Sequence, residues 1–295
     1  MPDDPADPAD PADPEDPGVP DDPARGLPRA GDGAAWVVDL DGVVWRGGEP
    51  IPGAGDAVAL LRGAGGRVLF ASNNSSPTLE ELIERLRVAG IAAGRDEIVT
   101  SGMAAAEMLD PGGHALVVGD DGLMEALAAR GVHATRATHD RTGAAPVFDA
   151  VVVGYTKRFD YDVLAIVADA VRAGARLIGT NEDAVLPTSG GLLPGTGAIL
   201  AAVATASGAT PVVAGKPHQP LATLITERVA RIAAVVGDRP STDGALARRL
   251  GVPYALVLTG VTTRAGDDLD RAPDFVGKDL RAVAQAATHG HAGSR

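Results

Sequence analysis

The sequence predicts an α/β fold: a Rossmann-like, doubly wound parallel-sheet core into which a second α/β unit is inserted as a cap. Three observations predict it. Short runs rich in Val, Ile and Leu alternate with helix-period stripes along the chain. The runs are apolar throughout rather than alternating, as expected of strands buried on both faces. Several of them end in carboxylates, hydroxyls or a lysine, at the edge where open α/β sheets bind ligands.

The chain has 295 residues, 45% of them hydrophobic, with no Cys, which excludes a disulfide framework and a thiolate metal site. The six His are scattered without paired spacing, so no zinc centre is expected. No apolar run approaches the roughly 18 residues of a membrane span. Residues 1–33 read as a disordered acidic tail, with Asp-Pro-Ala repeating from Asp4 to Pro14. Residues 1–30 hold eight Asp and one Glu against two Arg, a net of −7 out of −13 for the chain. The acidity therefore belongs mostly to the tail. It speaks against a nucleic-acid partner, and the tail lacks the basic and apolar regions of a secretory signal. A cytoplasmic protein is expected.

Ala34 to Val38 reads as the first buried strand, followed by Asp39-Leu40-Asp41-Gly42. Strand side chains alternate, so Asp39 and Asp41 share a side, about 7 Å apart at a rise of roughly 3.3 Å per residue. Two such carboxylates repel, and a hard cation such as Mg²⁺ would relieve them. A helix from Asp56 to about Arg62 stops at Gly63, Gly65 and Gly66. Arg67 to Ala71 is the second strand, and Ser72-Asn73-Asn74 at its end can hydrogen-bond an oxyanion without adding charge. Thr78 and Glu81 have capping-box spacing for the next helix. After Ile98–Ser101 and an Ala- and Met-rich helix the alternation restarts, with strands at 115–119, 150–154 and 176–180 and helices at 123–129 and 163–173.

This second unit is the expected cap, residues 106–210, with hinges near 101–108 and 208–214. Its stretch from Thr180 to Ile199 reads as a loop leading into a helix near Pro194. Gly195-Thr196-Gly197 lacks the third glycine of a dinucleotide fingerprint and does not follow a strand. Residues 34–105 and 211–282 form the expected core and 283–295 a flexible tail that includes His289 and His291. In the returning half, Lys216 follows a short apolar strand, with Pro217 suited to the first helical position. Ile232 to Val236 runs into Asp238, with Asp243 at a helix start. Tyr254–Leu258 and Asp274–Gly277 close the sheet.

Gathered in chain order, the strand ends offer Asp39, Asp41, Ser72, Lys216, Asp238 and Asp243. The set is negative enough to need a divalent cation, and with one it would attract a phosphate dianion. Four motifs carry a resemblance over about residues 34–280: Asp39-Leu-Asp41-Gly42-Val-Val-Trp, Phe70-Ala-Ser72-Asn73-Asn74-Ser, Gly215-Lys216-Pro217, and Gly237-Asp238-Arg-Pro-Ser-Thr242-Asp243. Any one is weak, but all four in this order are specific. The chain resembles the haloacid-dehalogenase superfamily of phosphatases. Asn73-Asn74 and the cap position look like its subfamily IIA, with a C2a-type α/β cap. That group includes p-nitrophenyl, phosphoglycolate and pyridoxal-phosphate phosphatases, NagD-type enzymes and bacterial glycerol-3-phosphate phosphatases.

The resemblance implies that Asp39 is a nucleophile forming an aspartyl-phosphate and Asp41 the general acid and then base. It implies Mg²⁺ on the Asp39 carboxylate, the Asp41 carbonyl and Asp238. Asp243 would orient a metal-bound water or Lys216, while Ser72, Asn73, Asn74 and Lys216 would hold the phosphoryl group of a small phosphorylated metabolite. Relatives pair through their caps, so a homodimer is a mild expectation. Tyr155 and the Glu182–Thr188 loop are the expected substrate contacts in the cap. Two departures stand out. Gly244 replaces the usual Ile or Val, which would loosen local packing. Leu186 stands where some vertebrate-type relatives carry a substrate-contacting His, which counts against pyridoxal phosphate. A phosphotransferase or mutase, or a non-catalytic binder of phosphorylated metabolites, remains the alternative.

Overall fold

The first strand, β1 (Ala35–Val38), lies in the middle of the larger sheet. A computed structural model of the chain describes residues 26–139, 147–188, 190–264 and 272–289. After β1 come β2 (Trp45–Arg46), β3 (Glu49–Pro50), α1 (Ala54–Gly63), β4 (Arg67–Ser72), α2 (Leu79–Val88), β5 (Ile98–Thr100) and α3 (Ser101–Glu107). The inserted unit follows with β6 (His114–Val118), α4 (Asp121–Ala129), β7 (His133–Arg136), β8 (Ala150–Val153), α5 (Tyr161–Arg172), β9 (Arg176–Gly179), β10 (Val185–Thr188), β11 (Gly191–Pro194), α6 (Thr196–Ser207) and β12 (Val212–Val213). The chain then runs through α7 (Gln219–Arg228), β13 (Ile232–Gly237), α8 (Ala245–Leu250), β14 (Tyr254–Val257), β15 (Phe275–Gly277) and α9 (Leu280–His289).

The core sheet has the order β15-β14-β13-β1-β4-β5, and all its pairings are parallel. The chain winds outward from β1 in one direction, then returns to β13 and winds the other way. The carboxyl ends of β1 and β13 thus meet at the point where strand order reverses, the ligand-binding crevice of doubly wound sheets. Alternation along β1 explains its apolar sequence. Trp36 and Val38 pack with α1, α2 and α9 on one face, and Ala35 and Val37 with α3, α7 and α8 on the other. At the start of α2 the Thr78 and Glu81 side chains and backbones bond reciprocally, as their spacing predicts.

The cap is built on a second all-parallel sheet, ordered β12-β9-β8-β6-β7. Helices α5 and α6 cover one face. The other face shares its apolar layer with α4 and with α3 of the core.

The Ala- and Met-rich helix expected after Ser101 forms as α3, whose buried Gly102, Ala104, Ala105 and Ala106 let it pack closely between the two units. The structure corrects several sequence expectations. Strand β12, expected in the core, hydrogen-bonds to β9 and so belongs to the cap sheet. Two valines carry no information about which sheet edge they join. The stretch expected to be a loop between Thr180 and Ile199 contains the antiparallel hairpin β10–β11. Pro217 precedes α7, and Pro220 occupies its first turn instead. Residues 26–33 dock rather than belong to a free tail: Leu27 and Ala30 pack on the core, and the Ala30 N–H donates to the Ala287 carbonyl at 2.9 Å. Residues 283–289 belong to α9, where Leu280, Val283, Ala284 and Ala287 form the buried stripe. The expected disorder of residues 1–25 and the remainder of the C-terminal tail, His291 included, fall outside the described residues.

Candidate active site

Asp39 directly follows β1, and its N–H still donates to Val236 of β13 at 2.9 Å, so it sits at the reversal point of the sheet. Its Oδ1 accepts a hydrogen bond from Lys216 Nζ at 2.7 Å. The same ammonium donates to the Ala71 carbonyl at 3.0 Å and to Asp243 Oδ1 at 2.7 Å, which uses all three of its protons. Lys216 is only 3% exposed. Asp243 is fixed in turn by the Arg239 N–H, which donates to its Oδ2 at 3.1 Å. Burial alone would depress the Lys216 ammonium, but the charges of Asp243 and Asp39 override it and raise its pKa. Burial, joined by Asp243 and Asp238, lifts the Asp39 carboxyl well above its ordinary range despite Lys216.

Asp238 directly follows β13, and its Oδ2 accepts the Val261 N–H at 2.5 Å. Its Oδ1 is buried and has no hydrogen-bond partner among the described residues. Two glycines are needed for this carboxylate to fit. A Cβ on Gly42, where φ is +90°, would lie 2.5 Å from Asp238 Oδ2, and one on Gly260 would lie 1.9 Å from it. Asp39, Asp238 and Asp243 each offer an oxygen within 4.8 Å of the others. A buried orphan carboxylate oxygen beside a second carboxylate is a donor set for a hard divalent cation. Both Asp243 oxygens are already engaged, which leaves Asp39 and Asp238 as the side chains able to hold it. Burial first, and the Asp243 charge second, push the Asp238 carboxyl up to about 6.

Asp41 is open to the cavity. Its Oδ1 accepts from the Trp45 indole N–H at 3.0 Å, leaving the second oxygen for a proton or a substrate. The enclosing protein raises its carboxyl, and the Trp45 bond opposes that effect. The loop is wound tightly, since the N–H groups of Val43, Val44 and Trp45 all donate to the Leu40 carbonyl. Ser72, expected to contact the phosphoryl group, is the last residue of β4. It is buried, its hydroxyl accepts the Asn74 N–H at 3.1 Å, and it does not line the cavity. Asn73 and Asn74 do line it. The Asn73 amide brackets the Lys216 backbone, accepting from its N–H at 2.7 Å and donating to its carbonyl at 3.2 Å. Lys216 therefore arrives on a loop leaving the cap sheet and is held in the core by Asn73.

The carboxyl-end crevice opens into a cavity of about 400 Å³ between core and cap. The core lines it with Asp39, Asp41, Asn73, Asn74, Lys216 and Asp238, and the cap with Tyr155, Asp183, Val185, Leu186 and Leu192. Tyr155 and the 182–188 segment, the expected substrate contacts, thus face it. Arg46, Arg239, Asn181 and the hairpin residue Leu192 also line it and were missed. Arg239 had a local signal, since it sits inside the Asp238–Asp243 motif. Leu192 had none, because only the pairing of β10 with β11 turns it toward the core. Gly244 is not a packing defect: a Cβ there would lie 3.1 Å from the Tyr254 ring, which fills the space.

A family description, haloacid dehalogenase-like hydrolase, matches residues 36–133, and a second, HAD-hydrolase-like, matches residues 213–283. The chain is 40% identical over 261 residues to a D-glycerol 3-phosphate phosphatase of Mycobacterium tuberculosis, covering 84% of this chain and 70% of that protein. The structure of a glycerol phosphate phosphatase from Mycobacterium tuberculosis in complex with magnesium superposes with a TM-score of 0.76 at 36% identity, covering 90% of this chain and 81% of that one. A p-nitrophenyl phosphatase from Archaeoglobus fulgidus superposes with a TM-score of 0.78 at 31% identity, covering 86% and 99%.

Proposed function

The chain belongs to the haloacid dehalogenase-like hydrolases, and from that premise we propose that it is a Mg²⁺-dependent phosphatase acting on small phosphorylated metabolites through an aspartyl-phosphate on Asp39. One observation carries the assignment of roles: the buried Asp39–Lys216–Asp243 ion triad lies beside the orphan Asp238 oxygen at the base of the cavity. Asp39 and Asp238, with the Asp41 carbonyl, would hold Mg²⁺, which when bound supplies positive charge to the phosphoryl oxygens.

The chain's own groups divide the remaining work. Lys216 balances the charge of the Asp39 carboxylate through Oδ1, and one oxygen of that carboxylate attacks phosphorus. As that bond forms, the ester P–O bond breaks, and Asp41, protonated on the oxygen not held by Trp45, gives its proton to the leaving oxygen. Asp41 then takes a proton from water. The water oxygen bonds to phosphorus, the Asp39–phosphorus bond breaks, and inorganic phosphate and a free Asp39 carboxylate result. Phosphate-monoester hydrolysis demands accelerations of up to ~10²¹-fold, so fixed charge and positioning must supply most of the rate. Lys216 supplies fixed positive charge at the inner end of the cavity and Asn74 a side-chain amide donor, while Asn73 spends its amide protons on Asp183 and the Lys216 carbonyl and so holds the lysine in place. Ser72 holds the turn that presents the two asparagines.

The cavity sets the substrate class. Apolar Val185, Leu186 and Leu192 face polar Asn74, Asn181 and Tyr155, which suits a small polar alcohol on the phosphate. Glycerol 3-phosphate, 2-phosphoglycolate, p-nitrophenyl phosphate, and sugar or nucleoside phosphates are the candidates. No described helix is long and apolar enough to cross a membrane. We place this NagD-like enzyme in the cytoplasm, with a cap-to-cap homodimer as its assembly and no nucleic-acid partner. The test is phosphate release from p-nitrophenyl phosphate with and without Mg²⁺. Wild type releases phosphate into water only with the metal, and Asp39→Asn lowers kcat by at least ~10³-fold. Metal-independent release, transfer to an added alcohol instead of water, or an active Asp39→Asn variant would overturn the assignment.

A further inference from the structure

Within the phosphatase reading, we propose that Asp183 is a positioning residue: the cap's clamp on the two loops that hold Lys216 and Asp243. Its Oδ1 accepts from Arg239 Nη1 at 3.1 Å and its Oδ2 from Asn73 Nδ2 at 3.2 Å. Each donor stands one bond from the catalytic ion triad. The Asn73 amide brackets the Lys216 backbone. The Arg239 backbone N–H holds Asp243, whose other oxygen holds the Lys216 ammonium. A single cap carboxylate therefore ties together the two core loops that converge on one lysine.

The cap holds Asp183 rigidly, and the Gly195-Thr196-Gly197 string explains how. The Asp183 N–H donates to Asn181 Oδ1 at 3.1 Å, and its carbonyl accepts from the Gly197 N–H at 3.0 Å in the first turn of α6. A Cβ on Gly195 would lie 2.1 Å from the Asp183 carbonyl oxygen, and one on Gly197 would lie 2.3 Å from the Glu182 carbonyl oxygen. The two glycines exist for this backbone approach, not for a dinucleotide. Asn181 adds a parallel tie, donating to the Asn73 carbonyl at 2.7 Å. Fixed backbone on the cap side and charge-assisted bonds on the core side make Asp183 a strut that transmits cap position to the reacting groups.

Asp183→Asn is the informative substitution. It keeps size and an acceptor for Arg239 but turns an amide N–H₂ toward the Asn73 N–H₂, setting donor against donor. The full-length chain with saturating Mg²⁺ is assayed on p-nitrophenyl phosphate as wild type, Asp183→Asn, Arg239→Gln and the double variant. Each single change lowers kcat about tenfold or more, as expected for loss of a charge-assisted bond, with KM within threefold. The double variant falls no further than the worse single, because the pair acts as one unit. Multiplying losses, or a raised KM with kcat intact, would overturn the clamp. Hydrogen exchange on the metal-free protein gives the second readout. Asp183→Asn speeds exchange in residues 72–76 and 239–244, and unchanged exchange there overturns the clamp even should a variant prove inactive through misfolding. Wild type without phosphatase activity would reject the functional reading alone, and the exchange comparison would still decide the clamp.

Discussion

Replacing Lys216 by Met tests the electrostatic core of the site. The ammonium is 3% exposed and joins Asp39 and Asp243, each at 2.7 Å. Methionine keeps most of the volume but leaves two buried carboxylates without their cation. Removing one partner of a buried ion pair costs roughly 3–5 kcal/mol. At roughly 2–4 °C per kcal/mol for a chain of this size, the unfolding midpoint falls about 6–20 °C at pH 8.

The loss depends on pH in a stated direction. In wild type, Lys216 stays charged from pH 5 to 8, because its folded pKa is raised above the ordinary lysine value. Its contribution is therefore constant across that range. In the variant, Asp39, whose carboxyl is already raised by burial, relieves the repulsion by taking up a proton. The deficit is then full above the raised folded pKa of Asp39 and shrinks as pH falls through it. Calorimetric unfolding of the metal-free proteins between pH 5 and 8.5 measures this. A midpoint change below about 2 °C, or equal deficits at pH 5 and pH 8, would refute the reasoning. The variant's kcat with Mg²⁺ should fall by ~10²–10³-fold, the usual cost of losing one fixed charge stabiliser.

Three further predictions concern the same region. Asp238 has a folded carboxyl pKa near 6, so Mg²⁺ must displace a proton below that pH. Titration calorimetry should show Mg²⁺ affinity falling at least tenfold per unit below pH 6, since Asp39, the other ligand, is raised as well; affinity independent of pH down to 5 would remove Asp238 from the ligand set. The sign for the metal-free protein is opposite, since a raised carboxyl binds more protons folded than unfolded, and its stability should rise as pH drops from 7 toward 5. Gly244→Ile must displace the Tyr254 ring, which an added Cβ would approach to 3.1 Å. It should destabilise by about 1–3 kcal/mol, and a raised unfolding midpoint would show the site to be underpacked after all.

The parts of the site that were legible in the sequence are those fixed by local chemistry. Asp39, Asp41 and Asp238 each follow a run of residues that is apolar on both faces, and such a run has only one end at which charge is tolerated. Gly42, beside Asp41, proves to make room for Asp238 across the sheet. Ser72 shows the limit of this kind of inference. Its place at a strand end was readable, but the direction of its hydroxyl was set by the turn to Asn74.

What the sequence by itself determined is the class and hand of the core: buried strands alternating with amphipathic helices make right-handed crossovers, and they bring every strand's carboxyl end to the same edge. Only the tertiary structure decided which sheet Val212 and Val213 join, that the 185–194 segment is a hairpin over the cavity, that residues 26–33 and 283–289 dock on the core, and that Asp183 reaches Arg239 and Asn73. Those outcomes rest on contacts between residues far apart in the chain, such as the 110 positions separating Asn73 from Asp183. No local period or spacing encodes a partner at that distance, because the energy of the contact exists only once both ends have been placed.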